Sequence, residues 1–337
     1  MPIRIGLMGF GRIGRNIFRI VADREDVEVA AISDTADPTA LEYLLRFDTV
    51  HGRFPEPVSI TDGRLRLRGR SIPVVQGREP GDVDWRSLGT DIVIEATARS
   101  RSRAELARHL EMGARCVVVC APPADEPDIT VVIGVNEDQL APAHRIISNA
   151  SCTVNCIGPI AKVLHREFGI VQGFASTIHA YTSAQRLADV PASDMRRSRA
   201  AAENIIPGET QAHEMVMRLI PQLKGRIGGV AINVPVPDGS VVDFVGQVER
   251  KVTPAMVNDA IRAAAESALA GVVEYETEPI VSSDVIGNPH SAIFDSLGTQ
   301  VIGGDLVKIL AWFDNGWGYA TRAVELVSRL AALGGGR

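Results

Sequence analysis

Short apolar runs and stretches of helical period alternate through the first 150 residues. "IRIGLMGF" (3–10) gives way to "GRIGRNIFRIVADRED" (11–26) and then to "VEVAAISD" (27–34). Further along come "DIVIEAT" (91–97), the helical "RAELARHLEMGA" (103–114), "CVVVCA" (116–121), "ITVVIGVN" (129–136) and "RIISNAS" (145–151). Strand, helix and strand in repetition predict parallel strands joined by crossover helices, hence a doubly wound α/β sheet. After residue 152 the pattern changes to longer alternating runs: "VQGFASTIHAYT" (171–182), "GGVAINVPVP" (228–237), "SVVDFVGQVER" (240–250) and "LVKILAWFD" (306–314). Alternation of apolar and polar residues predicts antiparallel strands with one covered face. A helical pattern, "TPAMVNDAIRAAAESAL" (253–269), is available to cover it, and "GYATRAVELVSRLAAL" (318–333) predicts a closing helix. The expected fold is therefore a doubly wound parallel sheet followed by an α+β domain with a mainly antiparallel sheet.

The length of 337 residues fits two domains better than one core. A net charge of −6 argues against nucleic acid as a main ligand. The basic run "RRSRAAA" (196–202) reads as a solvated or interface segment. No run of about 18 apolar residues occurs, so no membrane span is expected. The chain opens directly into a strand pattern rather than a secretory leader, which points to the cytoplasm. Cys116 and Cys120 sit four steps apart on an extended run, roughly 13 Å, too far for a bond or a shared ion. Cys152 and Cys156 could face the same way on a helix, but no suitably spaced histidine pair joins them, so neither a metal nor a disulfide is expected.

"GFGRIG" (9–14) matches the G-x-G-x-x-G pattern immediately after a strand and at the start of a helix. Gly9 allows the tight turn, Gly11 lets a pyrophosphate approach the backbone, and Gly14 lets helix and sheet pack closely. The helix start then offers N–H donors and the positive dipole end to the phosphates. Asp34 closes the next strand, twenty residues after Gly14, where a carboxylate can accept from the adenosine ribose hydroxyls and repel a 2′-phosphate. This reads as a Rossmann domain binding NAD, spanning 1–151 and completed by the C-terminal helix 318–337. The catalytic domain is expected over 152–317.

"SNASCTVN" (148–155) places Cys152 on a polar turn just before the apolar-periodic "CIGPIAKVLHREF". In the first turn of a helix, unpaired N–H groups and the positive dipole end favour a thiolate. A thiolate beside a nicotinamide can attack an aldehyde, pass hydride to the ring from the hemithioacetal, and leave a thioester. Such a reaction needs a base, and "STIHAYT" offers His179 on an alternating strand. Sequence alone does not bring the two together.

At this point the chain resembles the glyceraldehyde-3-phosphate dehydrogenase family from end to end. The matching segments are "GFGRIGR", "FDTVHGRF", "ISNASCTVNC", "IHAYT", "RRSRAAAENIIP", "GNPHSAIFDS" and "WFDNGWGY". The resemblance implies Cys152 as nucleophile, and His179 as the base that also donates to the developing oxyanion. It implies Asn315 on the nicotinamide carboxamide, with Phe10, Arg12, Ile13, Arg78 and Thr97 lining the NAD site. Segment 182–203 resembles the loop that reaches a neighbouring subunit's cofactor, and "DVP" (189–191) is close to the NAD-preferring form. A homotetramer is implied.

The departures from the family pattern concern the substrate. Thr182 stands where the resemblance expects a threonine on the C3 phosphate, but the aspartate position holds Ala184 and the arginine position holds Asn233. A guanidinium clamps phosphate bidentately, whereas asparagine gives one neutral donor. The loss predicts phosphate recognition weaker by roughly 2–4 kcal/mol, about 30- to 1000-fold. At the second anion site, where inorganic phosphate attacks the thioester, Ser151, Thr153 and Thr210 fit the family. Gln211 replaces a glycine there, and His213 and Glu214 follow where small and basic residues are usual. Ala98 and Arg99 stand where glycine and an apolar residue are common. The resulting expectation is NAD-dependent oxidation of an aldehyde that is different from, or bound differently to, the family's own. The acyl acceptor is left open between phosphate and water. The alternatives are the ordinary phosphorylating reaction of glycolysis, with Arg186 or Arg197 replacing the missing charge, and an NAD-binding protein without catalysis.

Overall fold

The computed structural model describes residues 1–333, so the last four residues of the expected terminal helix 318–337 lie outside the described residues. Met1–Val131, Glu137–Ser151 and residues 320–333 form one compact unit. Val132–Asn136 and Cys152–Tyr319 form the other.

The first unit begins with β1 (Ile3–Met8), α1 (Arg12–Ala22), β2 (Val27–Ser33) and α2 (Pro38–Arg46). A two-stranded ribbon, β3 (Phe47–Asp48) and β4 (Gly52–Arg53), precedes the strands β5 (Ser59–Thr61), β6 (Arg64–Leu67) and β7 (Arg70–Val75). Then come β8 (Ile92–Glu95), α3 (Arg103–Glu111), β9 (Cys116–Val119), β10 (Ile129–Thr130) and β11 (Ile146–Ser148). Nine strands form one sheet in the order β10-β11-β9-β8-β1-β2-β7-β6-β5. Pairing is parallel from β10 to β7, and the β5–β6–β7 meander closes the edge antiparallel. The central strands β8 and β9 are buried at all four positions. A strand covered on both faces has no solvent side, so "IVIE" and "CVVV" carry no alternation. From β1 the chain winds to β2 on one side and later to β8 on the other, which opens a crevice at the carboxyl ends of β1 and β8.

The second unit begins with α4 (Cys152–Phe168) and β12 (Ile170–Ala180), followed by β13 (Ile206–Gly208), α5 (Ala212–Leu219) and β14 (Ile227–Val234). It continues through β15 (Ser240–Val248), α6 (Pro254–Ala265), β16 (Val273–Glu276), β17 (Ala292–Ile302) and β18 (Leu306–Phe313). The terminal helix α7 (Trp317–Leu333) starts here and passes into the first unit. The seven strands run in the order β13-β14-β12-β15-β18-β17-β16. Alternation decides the faces: Val242 and Phe244 on β15 are buried beside Ile309, Ala311 and Phe313 on β18, while Asp243 and Lys308 meet on the opposite face at 3.0 Å. Helices α4, α5 and α6 pack on one another and on the buried face. The start of α6 is specified locally: Thr253 caps it by accepting from the Met256 N–H, with Pro254 at the first helical position.

Both expected sheets are present, with three corrections. The run 129–136 is a strand only at Ile129–Thr130. Beyond it Gly134 takes φ +90°, and the Asn136 side chain accepts from the Val132 N–H at 2.9 Å, drawing the backbone into a turn. The strands β12 and β14, expected antiparallel, run parallel because the segment between them carries the crossover helix α5. Three helices, not one, cover the second sheet.

The glycine-rich turn supplies a stability test. A Cβ on Gly14 would lie 2.1 Å from the Gly9 carbonyl oxygen, so α1 could not keep its present seat against β1. The variant Gly14→Ala is expected to lose about 1–3 kcal/mol of stability by urea denaturation, the usual cost of overpacking, and to bind NAD more weakly by calorimetry.

Candidate active site

Cys152 is the first residue of α4 and is only partly buried, while His179 lies near the end of β12. The Cys152 Sγ and His179 Nε2 atoms are 3.4 Å apart. On the other side of the ring, Nδ1 lies 2.7 Å from the Ala180 carbonyl oxygen. A carbonyl only accepts, so Nδ1 carries a proton and Nε2 is left to exchange one with the sulfur. Phe313 packs edge-on against the imidazole, with ring centroids 5.9 Å apart. Burial pushes the His179 pKa down, but the charge and hydrogen bond of Cys152, with help from the Ala180 carbonyl and Asp238, outweigh it, and the net shift is upward. The other three thiols are buried. Burial pushes Cys116 up to about 11 and raises Cys120 and Cys156 further. Of the four sulfurs, Cys152 alone combines access to solvent with a histidine partner.

The turn after β1 has the shape a pyrophosphate needs. Gly9 has φ +96°, and a Cβ on Gly11 would meet nothing within 4 Å, so this face of the turn is open. No side chain caps the start of α1. Asp34 braces the turn from β2: one carboxylate oxygen accepts the Phe10 N–H at 2.7 Å and the other the Ala36 N–H at 2.9 Å. Each oxygen keeps a further lone pair for a ribose hydroxyl. The Phe10 ring itself is buried edge-on against Phe18, so it offers a ligand only its backbone. Arg12 and Ile13 are half-buried at the start of α1, and Arg78 is exposed after β7. Thr97, just past β8, is tied to Glu95 through its N–H at 2.8 Å and its hydroxyl. Glu95 is in turn held by His109, whose Nδ1 accepts from the buried Trp85 indole. Ala98 follows at φ +57°, the left-handed region where glycine is at ease.

In the second unit, two of the residues expected to take an anion come together. Thr153 and Thr210 line one narrow pocket with Thr177, His213, Ile157 and Val216, and the His213 Nδ1 atom is buried there without a hydrogen-bond partner among the described residues. The Thr210 hydroxyl accepts the first N–H of α5 at 3.2 Å, and Gln211 beside it is exposed and makes no capping bond. Ser151 precedes α4 and is half-buried. The Thr182 hydroxyl donates to Gln185 at 2.8 Å and accepts the Ala184 N–H at 3.3 Å. Asn233 on β14 is paired in parallel register with His179 on β12, so both side chains leave the same face of the sheet side by side. The Arg197 guanidinium is 3.5 Å from Asp194, whereas that of exposed Arg186 meets no partner among the described residues.

Asn315 is buried in the turn before α7. Asp314 caps that helix by accepting from the N–H groups of Gly316 and Trp317. The Asn315 N–H is received by Asp238 at 3.3 Å, and its side-chain oxygen accepts from the Ser240 hydroxyl at 2.9 Å. Asp238 and Ser240 carry no signal in the sequence: each looks like part of an ordinary turn, "PDGS", before a strand.

A doubly wound sheet with an open glycine-rich turn in one unit, and a cysteine–histidine pair at a helix start in the other, are the marks of an NAD-dependent oxidoreductase. The family model described as glyceraldehyde 3-phosphate dehydrogenase, NAD binding domain, matches residues 3–103, and that described as glyceraldehyde 3-phosphate dehydrogenase, C-terminal domain, matches 151–315. The chain is 47% identical over 335 residues, 99% of its length and 100% of the relative's, to glyceraldehyde-3-phosphate dehydrogenase of Geobacillus stearothermophilus. It is 49% identical over 328 residues, 97% and 98% of the two lengths, to glyceraldehyde-3-phosphate dehydrogenase 2 of Streptomyces avermitilis. It is 46% identical over 334 residues, 97% and 98%, to glyceraldehyde-3-phosphate dehydrogenase of Mycobacterium leprae. The chain belongs to the glyceraldehyde-3-phosphate dehydrogenase family, and its cofactor is NAD.

Two outcomes are expected from this geometry. Because the folded-state pKa of His179 is raised, its cation is fully present below the ordinary value near 6.5 and is lost as pH rises through the raised value. Removing it in His179→Asn is expected to slow iodoacetamide labelling of Cys152 at pH 7 about tenfold, with recovery in alkaline solution. The Ala98→Gly variant relieves the left-handed alanine and is expected to gain about 1 kcal/mol of stability, read as a higher urea midpoint at unchanged slope.

Proposed function

We propose that the chain oxidises glyceraldehyde 3-phosphate to an acyl phosphate, with NAD as the oxidant and inorganic phosphate as the acyl acceptor. The names of relatives aligned over nearly the whole chain support this substrate more directly than the departures at positions 184 and 233 support another. The observation that carries the chemistry is the 3.4 Å contact between Cys152 Sγ and His179 Nε2.

The Cys152 sulfur adds to the aldehyde carbon, and His179 Nε2 gives its proton to the carbonyl oxygen, making a hemithioacetal. His179 then takes the hydroxyl proton back as the C–H bond is oxidised and a thioester remains on Cys152. Bound NAD supplies the acceptor for the hydride. A phosphate oxygen attacks the thioester carbon, and Cys152 leaves as a thiolate beside the His179 cation. Gly9, Gly11, Arg12, Ile13, Gly14 and Asp34 would hold the dinucleotide's phosphates and adenosine ribose, Phe10 through its backbone. Arg78 and Thr97 would border the adenosine side and Asn315 the carboxamide. The open face of Gly11 and the uncapped start of α1 fit such a group. Ser151, Thr153, Thr210 and Gln211 would receive the attacking phosphate, with Thr182 and Asn233 toward the substrate. Of the two arginines offered as replacements for the missing charge, Arg186 is exposed and its guanidinium has no partner among the described residues.

The second reading, a less anionic aldehyde bound by the same Cys152, is favoured by one specific observation: a neutral amide, Asn233, stands next to His179. Steady-state kinetics separate the two. On the main reading, glyceraldehyde 3-phosphate is turned over with a kcat/KM well above that of unphosphorylated glyceraldehyde, and NADH production requires phosphate. Asn233→Arg is then expected to raise kcat/KM further, by about tenfold or more. Equal kcat/KM values for the two aldehydes would sink the main reading in favour of the second.

We also infer a homotetramer. Leu187 (85% exposed) and Met195 (79%) leave large apolar surface open in segment 182–203, and Phe174 (52%) does so on β12, which suits contact with further copies of the chain. Sedimentation of the protein as a monomer at micromolar concentration would argue against it.

A further inference from the structure

We propose that Ser240 is a positioning residue that fixes the orientation of the Asn315 carboxamide and ties it to the strand end carrying His179. The proposal deepens, and rests on, the reading of Asn315 as the residue that meets the nicotinamide carboxamide.

Ser240 opens β15 and is fully buried. Its hydroxyl has one proton and two lone pairs. One lone pair receives the Ala180 N–H at 3.0 Å, and the oxygen of Asn315 lies 2.9 Å away. With a backbone donor already engaged on one side, the hydroxyl proton needs an acceptor, and the Asn315 oxygen is the one present. Reversing the Asn315 amide would set its NH2 group against the serine and leave that proton without a partner in a dry site. The Asn315 oxygen therefore faces Ser240, and its NH2 group faces away, with no hydrogen bond to the described residues. An NH2 group held in this way is a fixed donor for a carbonyl oxygen such as that of a carboxamide.

The same hydroxyl is bound to the histidine side of the site. Ala180 gives its N–H to Ser240 and its carbonyl oxygen to His179 Nδ1. The backbone beneath Asn315 is anchored separately, by Asp238 at its N–H and by the capping Asp314. Ser240 thus controls what these anchors leave undetermined, the rotation of one terminal amide. A hydroxyl that only filled space in the core would affect stability alone.

The test uses the full-length protein and the dissociation constant of NAD, measured by calorimetry without substrate, for Ser240→Ala, Asn315→Ala and the double variant. If Ser240 acts through Asn315, each single variant weakens NAD binding about tenfold and the double variant is no weaker than Asn315→Ala, a fully coupled cycle. Ser240→Thr, which keeps the hydroxyl, is expected to retain wild-type affinity. With a substrate deuterated at the aldehyde carbon, Ser240→Ala is also expected to place label on both faces of the NADH C4, where the wild type labels one. Additive losses in the double variant, or unchanged affinity in Ser240→Ala, would overturn the proposal while leaving the role of Asn315 intact. Unchanged affinity in Asn315→Ala would instead remove the assignment of Asn315 itself, and that of Ser240 with it.

Discussion

A single hydrogen bond, from His179 Nδ1 to the carbonyl oxygen of the next residue, sets the chemistry of the second unit. The carbonyl belongs to Ala180, which is paired with Val234 in the β12–β14 ladder, so it cannot rotate away without disturbing that ladder. It makes Nδ1 the permanently protonated nitrogen and turns Nε2 toward Cys152. The sulfur is equally constrained, because it is carried by the first residue of a helix whose buried face packs on the same sheet. Neither partner needs a third acidic side chain to orient it. The carbonyl orients the ring without a charge of its own, and buried Asp238 adds only the last of the influences that raise the His179 pKa.

The parts legible in the sequence were those in which one residue type had one physical use. Buried parallel strands read as unbroken apolar runs, and the glycine-rich turn announced itself because Gly9 and Gly14 occupy backbone positions that exclude a side chain. Cys152 was visible because a cysteine among small polar residues at a helix start is unusual. His179 was visible only as a candidate, since nothing in its own strand distinguishes a base from a hydrogen-bonded core histidine. Its pairing with Cys152 spans 27 positions and is created by the return of β12 beneath α4. Ser240, Asp238 and Phe313 were not legible at all. Their roles lie in which backbone groups come within reach after the sheet has formed, and a serine opening a strand has too many ordinary explanations. The strand reading of 129–136 failed for a related reason: β-branched residues favour extension, but the Asn136 side chain and Gly134 draw the backbone into a turn.

The groups proposed to perform the reaction and those proposed to recognise the substrate are held in physically different ways. Cys152, His179 and Asn315 are held by backbone hydrogen bonds, a helix start and buried side chains, so most substitutions elsewhere do not move them. Of the positions that depart from the family pattern, Ala184, Gln211 and Glu214 are exposed, whereas His213 is partly buried. Asn233 is the instructive case. Its backbone is part of the β12–β14 ladder and keeps His179 in register whatever its side chain, while the side chain alone decides what stands next to the imidazole. Exchanging a guanidinium for an amide at such a position changes the electrostatic grip on an anion by an amount a few hydrogen bonds can carry, without changing the geometry of sulfur and ring. Recognition can thus change while the covalent chemistry is preserved, and the ladder through residue 233 is the physical reason.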